Sequence, residues 1–377
     1  MLLLFKVKLK QVWQYKHKDA INGILVNKNI KTNNPELIVY TNNGEILILS
    51  LDGNLCFSEK VSEKQLWKGL IYEPDSQEKI LNLLVGGMDG ILRCYTIKSS
   101  YELVPIWTHT FKSSISGFFL EDLNNDGITE LISYSLDKTL RVLNKKDGLM
   151  IWGQMFEKGI GDAIILPPFS DLEEKEVCAC GNDGTLRIFD SKNGELKWFK
   201  KFSDKMRALT FLSVDSQKNY LLCGGDDRLL HIIDRNTKIE VKTLEFSDYL
   251  WKLCSYPHSS PRNVLVSTYS FEFLKDEKDL SSIDFSSGLF KYDSEFTRKW
   301  QVVGENIEIL KLIDIDSKRS SIYGTTKGEL KGIDETDGKQ LFKMECSSCI
   351  NDLFYLPSKD LIFSCQDDGS INSYRVN

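Results

Sequence analysis

The sequence predicts an all-β fold, an eight-bladed β-propeller of four-stranded antiparallel blades. Three observations lead to this prediction. A tight turn between two apolar runs recurs eight times, a second turn motif with an aromatic residue follows it, and the two chain ends supply complementary parts of one blade. Short strands repeated with a period of about 40–50 residues are typical of propeller blades.

The first repeated signal is a two-residue turn that favours a β-hairpin. Its second residues lie 40 to 60 positions apart, and they are Gly44, Gly90, Lys138, Gly184, Arg228, Gly288, Gly328 and Gly369. Asn-Gly and Asp-Gly pairs readily adopt the positive φ angles that such a turn requires. The residues after each turn alternate between apolar and polar, as in 185–189, which indicates a half-buried strand.

The second signal is an aspartate, a turn glycine and an aromatic residue at intervals of four. It is complete at Asp190, Gly194 and Trp198, and it is nearly complete in the units of Trp152 and Phe342. A third signal, an apolar residue followed by a variable and a usually small one, marks the start of an inner strand. The order of the three signals predicts that each unit folds into an inner strand, two middle strands and an outer strand that begins at the aromatic residue.

The chain ends indicate how the last blade is completed. The last unit, 349–377, ends after its third strand, whereas 1–18 offer an outer-strand aromatic residue, Trp13, with no strands before it. We expect the N-terminal strand to supply the fourth strand of the C-terminal blade, within a single domain 1–377. The sixth unit carries an insertion near 270–284, and seven blades is the alternative if that unit is not a blade.

These motifs resemble a known superfamily over essentially the whole chain. The Asp-x3-Gly-x3-Trp repeat is similar to that of quinoprotein dehydrogenase-like propellers (PQQ-like repeats), whose relatives overlap with WD40 repeats. The Trp-Asp position of WD40 sequences is held here by Phe189-Asp190 or Ile233-Asp234. Because the superfamily contains enzymes, assembly factors and scaffolds alike, the resemblance implies the architecture and not the function.

Composition excludes several classes of protein. The 377 residues include 48 basic and 54 acidic side chains, for a net charge of −6, so the basic footprint of a nucleic-acid-binding domain is absent. No apolar run reaches the roughly 18 residues of a membrane span, and the first residues lack the parts of a secretory signal. Nine cysteines, an odd number, lie mostly in apolar strand-like runs. We therefore expect reduced thiols and a cytoplasmic location.

The variable residues at the inner-strand starts predict a binding face. In a propeller these positions lie around one mouth of the channel, so their side chains give that face its chemistry. Tryptophan and arginine dominate the energetics of protein interfaces, which makes this set suited to a peptide. The alternative for the two tryptophans is that their rings fill space between blades. The residues expected to bind are Asn22, Trp67, Lys68, Arg207, Trp251, Lys252, Glu308 and Asn351.

One acidic segment has the spacing of a calcium loop. Asp122, Asn124, Asp126 and Glu130 place oxygen donors at positions 1, 3, 5 and 9, with Gly127 at position 6 for a sharp turn. The segment resembles the calcium loops of integrin-type FG-GAP blades, although Glu130 replaces the usual final aspartate. The alternative is an acidic hairpin whose Asn and Asp side chains bond their own backbone.

Little in the sequence supports catalysis. The four histidines are scattered, and no nucleophile elbow, phosphate-binding glycine loop or zinc-protease motif occurs. Quinone-dependent relatives are exported, longer, and usually carry adjacent cysteines, whereas one residue separates Cys178 from Cys180. The sequence thus predicts a non-enzymatic scaffold that binds a protein or peptide partner in an intracellular assembly, with calcium as the one candidate cofactor. The alternative is a quinone- or metal-dependent propeller enzyme.

Overall fold

A computed structural model describes residues 7–28, 35–74, 81–168, 174–255, 262–271, 286–315 and 318–377. These residues form thirty-two β-strands and one 3-10 turn, Pro357–Lys359, and the described part contains no helix long and apolar enough to cross a membrane. The strands pair into eight four-stranded antiparallel sheets, which confirms the all-β class and the eight blades. The sixth repeat forms its own blade, so the seven-blade alternative is wrong. Most of the insertion expected near 270–284 lies outside the described residues, which omit 272–285.

The first of two compact units comprises Met1–Thr110 and Ile307–Asn377. It holds the first, second, seventh and eighth blades. The N-terminal strand, Leu9–Lys16, pairs antiparallel with Ser370–Val376, so it completes the C-terminal blade as predicted. In chain order the strands are β1 (Leu9–Lys16), β2 (Ile21–Lys28), β3 (Pro35–Thr41), β4 (Glu45–Ser50), β5 (Leu55–Lys60), β6 (Leu66–Tyr72), β7 (Leu81–Gly87), β8 (Ile91–Ile97), β9 (Leu103–Thr110), β26 (Ile307–Ile315), β27 (Lys318–Thr325), β28 (Glu329–Asp334), β29 (Gln340–Glu345), β30 (Ile350–Leu356), β31 (Leu361–Gln366) and β32 (Ser370–Val376).

The second unit, Phe111–Asn306, holds the third to sixth blades. Each blade consists of four strands that follow one another in the chain. They are β10 (Ile115–Glu121), β11 (Glu130–Ser135), β12 (Thr139–Asn144), β13 (Met150–Met155), β14 (Ile160–Leu166), β15 (Glu176–Gly181), β16 (Thr185–Asp190), β17 (Leu196–Lys201), β18 (Met206–Ser213), β19 (Asn219–Gly225), β20 (Leu229–Asp234), β21 (Glu240–Glu245), β22 (Tyr249–Ser255), β23 (Val264–Tyr269), β24 (Gly288–Tyr292) and β25 (Arg298–Val303).

The apolar core lies between the faces of consecutive blades. Between the third and fourth blades, for example, Ile132 and Leu140 pack against Val177, Ala179 and Phe189. The second strand of a blade is covered on both faces, and all seven residues of β7 are buried. This explains why these strands appear in the sequence as continuous apolar runs, whereas the outer strands alternate.

The aspartate–glycine–aromatic motif connects one blade to the next. Trp152 donates from Nε1 to the carbonyl oxygen of Ser191 at 2.8 Å. Its ring lies so close to Gly194 that a Cβ there would be 2.5 Å from Trp152 Cε3, and Gly194 also has a φ of +74°. In the first unit, Trp13 covers Gly53 in the same way. The motif glycine is therefore required twice, by the turn and by the aromatic ring of the preceding blade.

Candidate functional site

Every blade carries a β-bulge at the start of its innermost strand. In the fifth blade, for example, Met206 and Ala208 pair with consecutive residues of β19, and Arg207 between them is left over. A bulge leaves its extra residue unpaired and re-aims the side chain. The eight bulge residues are Asn22, Trp67, Ser116, Gly161, Arg207, Trp251, Glu308 and Asn351.

These are the variable positions read from the sequence, with one correction. The sequence pattern assigns Lys68 to this position in the second blade, whereas the structure places Trp67 there, between Leu66 and Lys68. The pattern treats Trp67 as the apolar residue that opens the strand, but the buried Leu66 holds that place. Trp67 is 37% exposed and donates from Nε1 to Gln65 Oε1 at 2.9 Å, so its ring lies at the surface.

In the first unit, the bulge asparagines hold neighbouring blades together. Asn22 Nδ2 donates to the carbonyl oxygen of Leu66 in the next blade at 2.8 Å. Asn351 Nδ2 donates in the same way to Ile21 at 2.9 Å. Glu308 occupies the corresponding bulge of β26. The side-chain amides of Asn22 and Asn351 therefore have a structural role, which the sequence alone did not indicate.

In the second unit, the bulge residues surround a cavity of about 310 Å³. Two of its lining residues are basic and none is acidic. The described residues that line it are Ser116, Leu136, Ile160, Gly161, Asn182, Arg207, Trp251 and Lys252. Three predicted binding residues, Arg207, Trp251 and Lys252, are thus brought together, whereas Ser116, Leu136 and Asn182 line the cavity without having been predicted to bind.

Arg207 is held in place by an ion pair and two aromatic rings. Its Nη2 donates to Asp226 Oδ2 at 3.0 Å, and its Nε donates to Asp226 Oδ1. The guanidinium carbon lies 5.6 Å from the ring centroids of Trp251 and Phe271, within the range of a cation–π interaction. A bidentate carboxylate and two rings fix the orientation of the guanidinium group, so this part of the cavity wall is preorganised.

An aromatic cluster packs against Trp251, one of the residues that line the cavity. The ring centroids of Trp251 and Tyr269 lie 4.8 Å apart, and those of Trp251 and Phe271 lie 5.7 Å apart in an edge-on arrangement. Tyr249 also contacts Phe271, at 5.6 Å. The sequence did not point to Tyr249 or Tyr269, although aromatic residues at both ends of a predicted hairpin are the pattern that would have suggested such a cluster.

Asp162, next to the bulge of the fourth blade, joins that blade to its neighbours. Its Oδ2 accepts from the backbone N–H of Leu209 at 3.1 Å, and its Oδ1 accepts from Ala163 N–H at 2.9 Å and Tyr134 Oη at 3.2 Å. Burial raises the pKa of Asp162 to about 6, against the opposing influence of these hydrogen bonds and of the Lys252 charge. The carboxylate acts as a structural acceptor between three blades.

The first unit repeats this arrangement at Asp352. Its two oxygens accept from the backbone N–H groups of Leu353 at 2.9 Å and Ile24 at 3.1 Å, and Lys311 Nζ lies 3.3 Å away. An aspartate beside the bulge is therefore a blade-to-blade connector in both units. The acidic residues at these positions stabilise the fold.

Two polar atoms of the cavity-lining residues are buried without a partner. Trp251 Nε1 and Ser116 Oγ are both shielded from solvent and make no hydrogen bond within the part of the chain that is described. A buried donor without an acceptor costs about 1–3 kcal/mol. Such a cost is ordinarily recovered by water or by a ligand.

The acidic loop between β10 and β11 is closed by its own hydrogen bonds. Gly127 N–H donates to Asp122 Oδ2 at 2.9 Å, and Asp126 N–H donates to Asn124 Oδ1 at 3.0 Å. Glu130 Oε2 accepts from a backbone N–H of the same loop, and burial raises the pKa of that carboxyl. Across the described ranges, no three His, Cys, Asp or Glu side chains come close enough to hold a metal ion. Calcium binding, which would also use Asn124, stays a prediction.

Comparison with known proteins identifies relatives only at the level of structure. No protein-family model and no curated protein matches the chain. The solved structures that resemble it include the computationally designed protein Ika8, at 13% identity and a TM-score of 0.70 over 96% of this chain and 97% of that one. Sqt1 from Saccharomyces cerevisiae shares 11% identity, with a TM-score of 0.73 over 97% and 98% of the two chains. BamB from Moraxella catarrhalis shares 13%, with a TM-score of 0.62 over 98% and 100%.

At such low identity the likeness shows the fold alone. Sqt1 is a WD40 propeller and BamB is a propeller of PQQ-like repeats. Together with the eight four-stranded blades, these matches agree with the Asp-x3-Gly-x3-Trp repeat of the sequence. The chain is an eight-bladed β-propeller with the architecture that WD40-type and PQQ-like propellers share.

Proposed function

We propose that this propeller is a non-enzymatic scaffold that binds a protein or peptide partner through the cavity of its second unit. The observation that carries the proposal is the convergence of Arg207, Trp251 and Lys252 on one cavity. An oriented arginine beside a tryptophan, in a concave site with partly buried walls, is the composition of an interface hot spot. The cavity is large enough to take a side chain of a partner together with part of its backbone.

The roles of the nearby ionisable groups favour binding over catalysis. Both oxygens of Asp162 accept backbone hydrogen bonds, and Asp226 is engaged bidentately by Arg207. Both carboxylates therefore serve structural contacts, which supports a binding role over that of a general base. Support for an intracellular location comes from the nine cysteines, all of which are free thiols.

Affinity capture tests the proposal. The full chain is immobilised as wild type, Trp251→Ala and Arg207→Gln, and the proteins retained from a lysate of its native cells are quantified. We expect at least one partner that wild type retains and that both variants lose by tenfold or more. Binding of that partner, once purified, is then measured by calorimetry. Phe199→Ala is the matched control, because Phe199 is an aromatic residue of the same unit, 59% exposed and outside the cavity.

Two results would overturn the proposal. One is a partner that Phe199→Ala loses and Trp251→Ala retains, which would place binding elsewhere. The other is tight binding of a quinone cofactor by the wild-type chain in the presence of Ca²⁺, which would instead favour the enzyme alternative. Melting temperatures of all variants within about 2 °C of wild type ensure that a lost partner reflects the surface and not the fold.

A further inference from the structure

The chemistry of the cavity wall restricts what its occupant can be. Trp251 Nε1 can only donate a hydrogen bond, and the Lys252 ammonium group offers three donors and no acceptor. The amide of Asn182 and the hydroxyl of Ser116 can each donate as well. No carboxylate belongs to the described residues that line the cavity. The wall therefore presents an excess of donors and of positive charge.

The two unpartnered atoms indicate the same kind of occupant. Trp251 Nε1 and Ser116 Oγ are buried and lack an acceptor within the described residues. A ligand that brought another donor would leave the indole N–H unsatisfied. A ligand that brought an acceptor would instead recover the cost of its burial, and a charged acceptor would recover most.

The two cations of the wall have different roles. Arg207 is neutralised by Asp226, so its contribution is mainly the flat surface that it forms with Trp251. Lys252 lies near the Asp162 carboxylate, but no ion pair joins the Lys252 ammonium group to any carboxylate of the described residues. Lys252 is therefore the charge that a ligand carboxylate can engage.

We infer that the cavity recognises a carboxylate of the partner peptide, which accepts from Trp251 Nε1, Ser116 Oγ and Lys252 Nζ. Leu136 and Ile160 supply an apolar wall, so an apolar side chain next to the carboxylate fits the remaining volume. The carboxylate comes either from an aspartate or glutamate side chain or from the C-terminus of the partner. This inference rests on the proposed function, since it specifies the chemistry of the peptide bound there.

Selection from random peptides tests the inference even while the partner is unidentified. The full-length protein selects binders from two displayed libraries, one with free peptide C-termini and one with the C-termini fused to a carrier. We expect peptides enriched on wild type to carry Asp or Glu at one fixed position, next to an apolar residue, at least fivefold above the starting library. Binders enriched only in the library with free C-termini, and without a fixed Asp or Glu, would identify the C-terminal carboxylate as the bound group. That result would equally support the inference.

Single substitutions then measure each contact with a selected peptide. Lys252→Met keeps the length of the side chain and removes its charge, and we expect binding to weaken by tenfold or more. Trp251→Phe keeps an aromatic wall and removes the donor, and we expect a loss of about fivefold. Replacing the peptide carboxylate by its amide should weaken binding to wild type tenfold but add little to the loss in Lys252→Met. Lys146→Met, an exposed lysine outside the cavity, should have no effect.

The outcomes separate the inference from the proposed function. Selected peptides that lack a carboxylate but still require Trp251 would overturn the inference that a carboxylate is recognised. They would leave the proposed peptide-binding function standing. Libraries that yield no peptide dependent on Trp251 or Arg207 would overturn both. Equal binding of the acidic peptide to wild type and Lys252→Met would also contradict the inference, because the charge would then not be recognised.

Discussion

Asp183, in the tight turn of the fourth blade, connects this blade to the third. Its side chain is 1% exposed. Oδ1 accepts from the backbone N–H of Thr185 at 3.0 Å and from its hydroxyl at 2.6 Å. Oδ2 accepts from Glu157 N–H, in the loop after the third blade, at 3.0 Å and from Arg187 Nη2 at 2.9 Å. Four donors thus satisfy this buried carboxylate.

Arg187 completes the connection from the other side of the ion pair. Its side chain is 17% exposed, and its Nη1 donates to the carbonyl oxygen of Met155 in the third blade at 3.0 Å. The guanidinium carbon lies 4.1 Å from the ring centroid of Phe156. The ion pair and the ring are therefore shared between two blades, and loss of either partner weakens the junction between them.

We predict that Asp183→Ala lowers the free energy of unfolding by about 3 kcal/mol. Removal of one partner of a buried ion pair costs about 3–5 kcal/mol, since the remaining charge loses its counter-charge. The backbone N–H groups of Thr185 and Glu157 lose their acceptor as well. The lower end of the range applies because Arg187 keeps its bond to Met155 and has an exposed edge that water can reach.

Urea denaturation and thermal melting measure this loss. An unfolding entropy of about 2.1 cal/mol/K per residue gives about 0.8 kcal/mol/K for a chain of this length, so Tm should fall by about 4 °C if the chain unfolds as one unit. Asp183→Asn retains one acceptor and should lose about half as much. A double-mutant cycle with Arg187→Leu should give a coupling energy of at least about 1 kcal/mol.

A second blade supplies an internal check. Asp137 makes the same ion pair with Arg141 at 2.9 Å and is likewise 1% exposed, and the Arg141 guanidinium lies 4.1 Å from the Phe111 ring centroid. Asp137→Ala should therefore cost about as much as Asp183→Ala. A loss below about 1 kcal/mol for both variants, or a cycle in which the two substitutions are additive, would refute the assigned role of these ion pairs.

Three further predictions concern other positions. Gly194→Ala should lower the free energy of unfolding by about 2 kcal/mol or more in urea denaturation, because the site combines a φ of +74° with a clash between the new Cβ and Trp152. Gly127→Ala is the control, with a φ of +85° and nothing within 4 Å of the new Cβ, and it should cost only about 1 kcal/mol. Folding raises the pKa of Asp162 to about 6, so the native state binds this proton more tightly than the unfolded chain does. The stabilisation from the bound proton is full below about pH 4 and is lost as pH rises through 6. Asp162→Asn should therefore cost about 2 kcal/mol more free energy of unfolding at pH 4.5 than at pH 7.5, and equal costs at the two pH values would contradict this. Burial opposes the charge on His231, but hydrogen bonds to its two carboxylate partners, Asp227 and Glu240, outweigh burial and raise its pKa. The stabilisation by the charged imidazole is full below the unfolded pKa of about 6.5 and is lost as pH rises through the folded value. His231→Gln should therefore lower Tm more at about pH 6 than at about pH 9, and equal decreases would argue against a charged His231.

The sequence by itself determined the architecture, because the signals that specify a blade are local. Asn43-Gly44 and Asp183-Gly184 predict tight hairpins, and a hairpin forms at each pair. The two-residue turn was the wrong type, because each loop has three residues and only its glycine adopts a positive φ, +83° at Gly44 and +73° at Gly184. Alternation at period two assigns the faces of the outer strands, and continuous apolar runs mark the strands that are covered on both faces. The count of eight blades and the completion of the last blade by the N-terminal strand follow from repetition of these local rules.

Only the tertiary structure decided which side chains form the site. The ion pair of Arg207 with Asp226 joins residues 19 positions apart, and the bond from Leu209 N–H to Asp162 spans 47 positions. No periodicity encodes such contacts, because they depend on how one blade packs on the next. The same reason explains the one-residue error at Trp67. Both Leu66 and Trp67 fit the pattern of an apolar residue that opens a strand, and pairing with β7 alone determines that Leu66 is buried and Trp67 is the bulge.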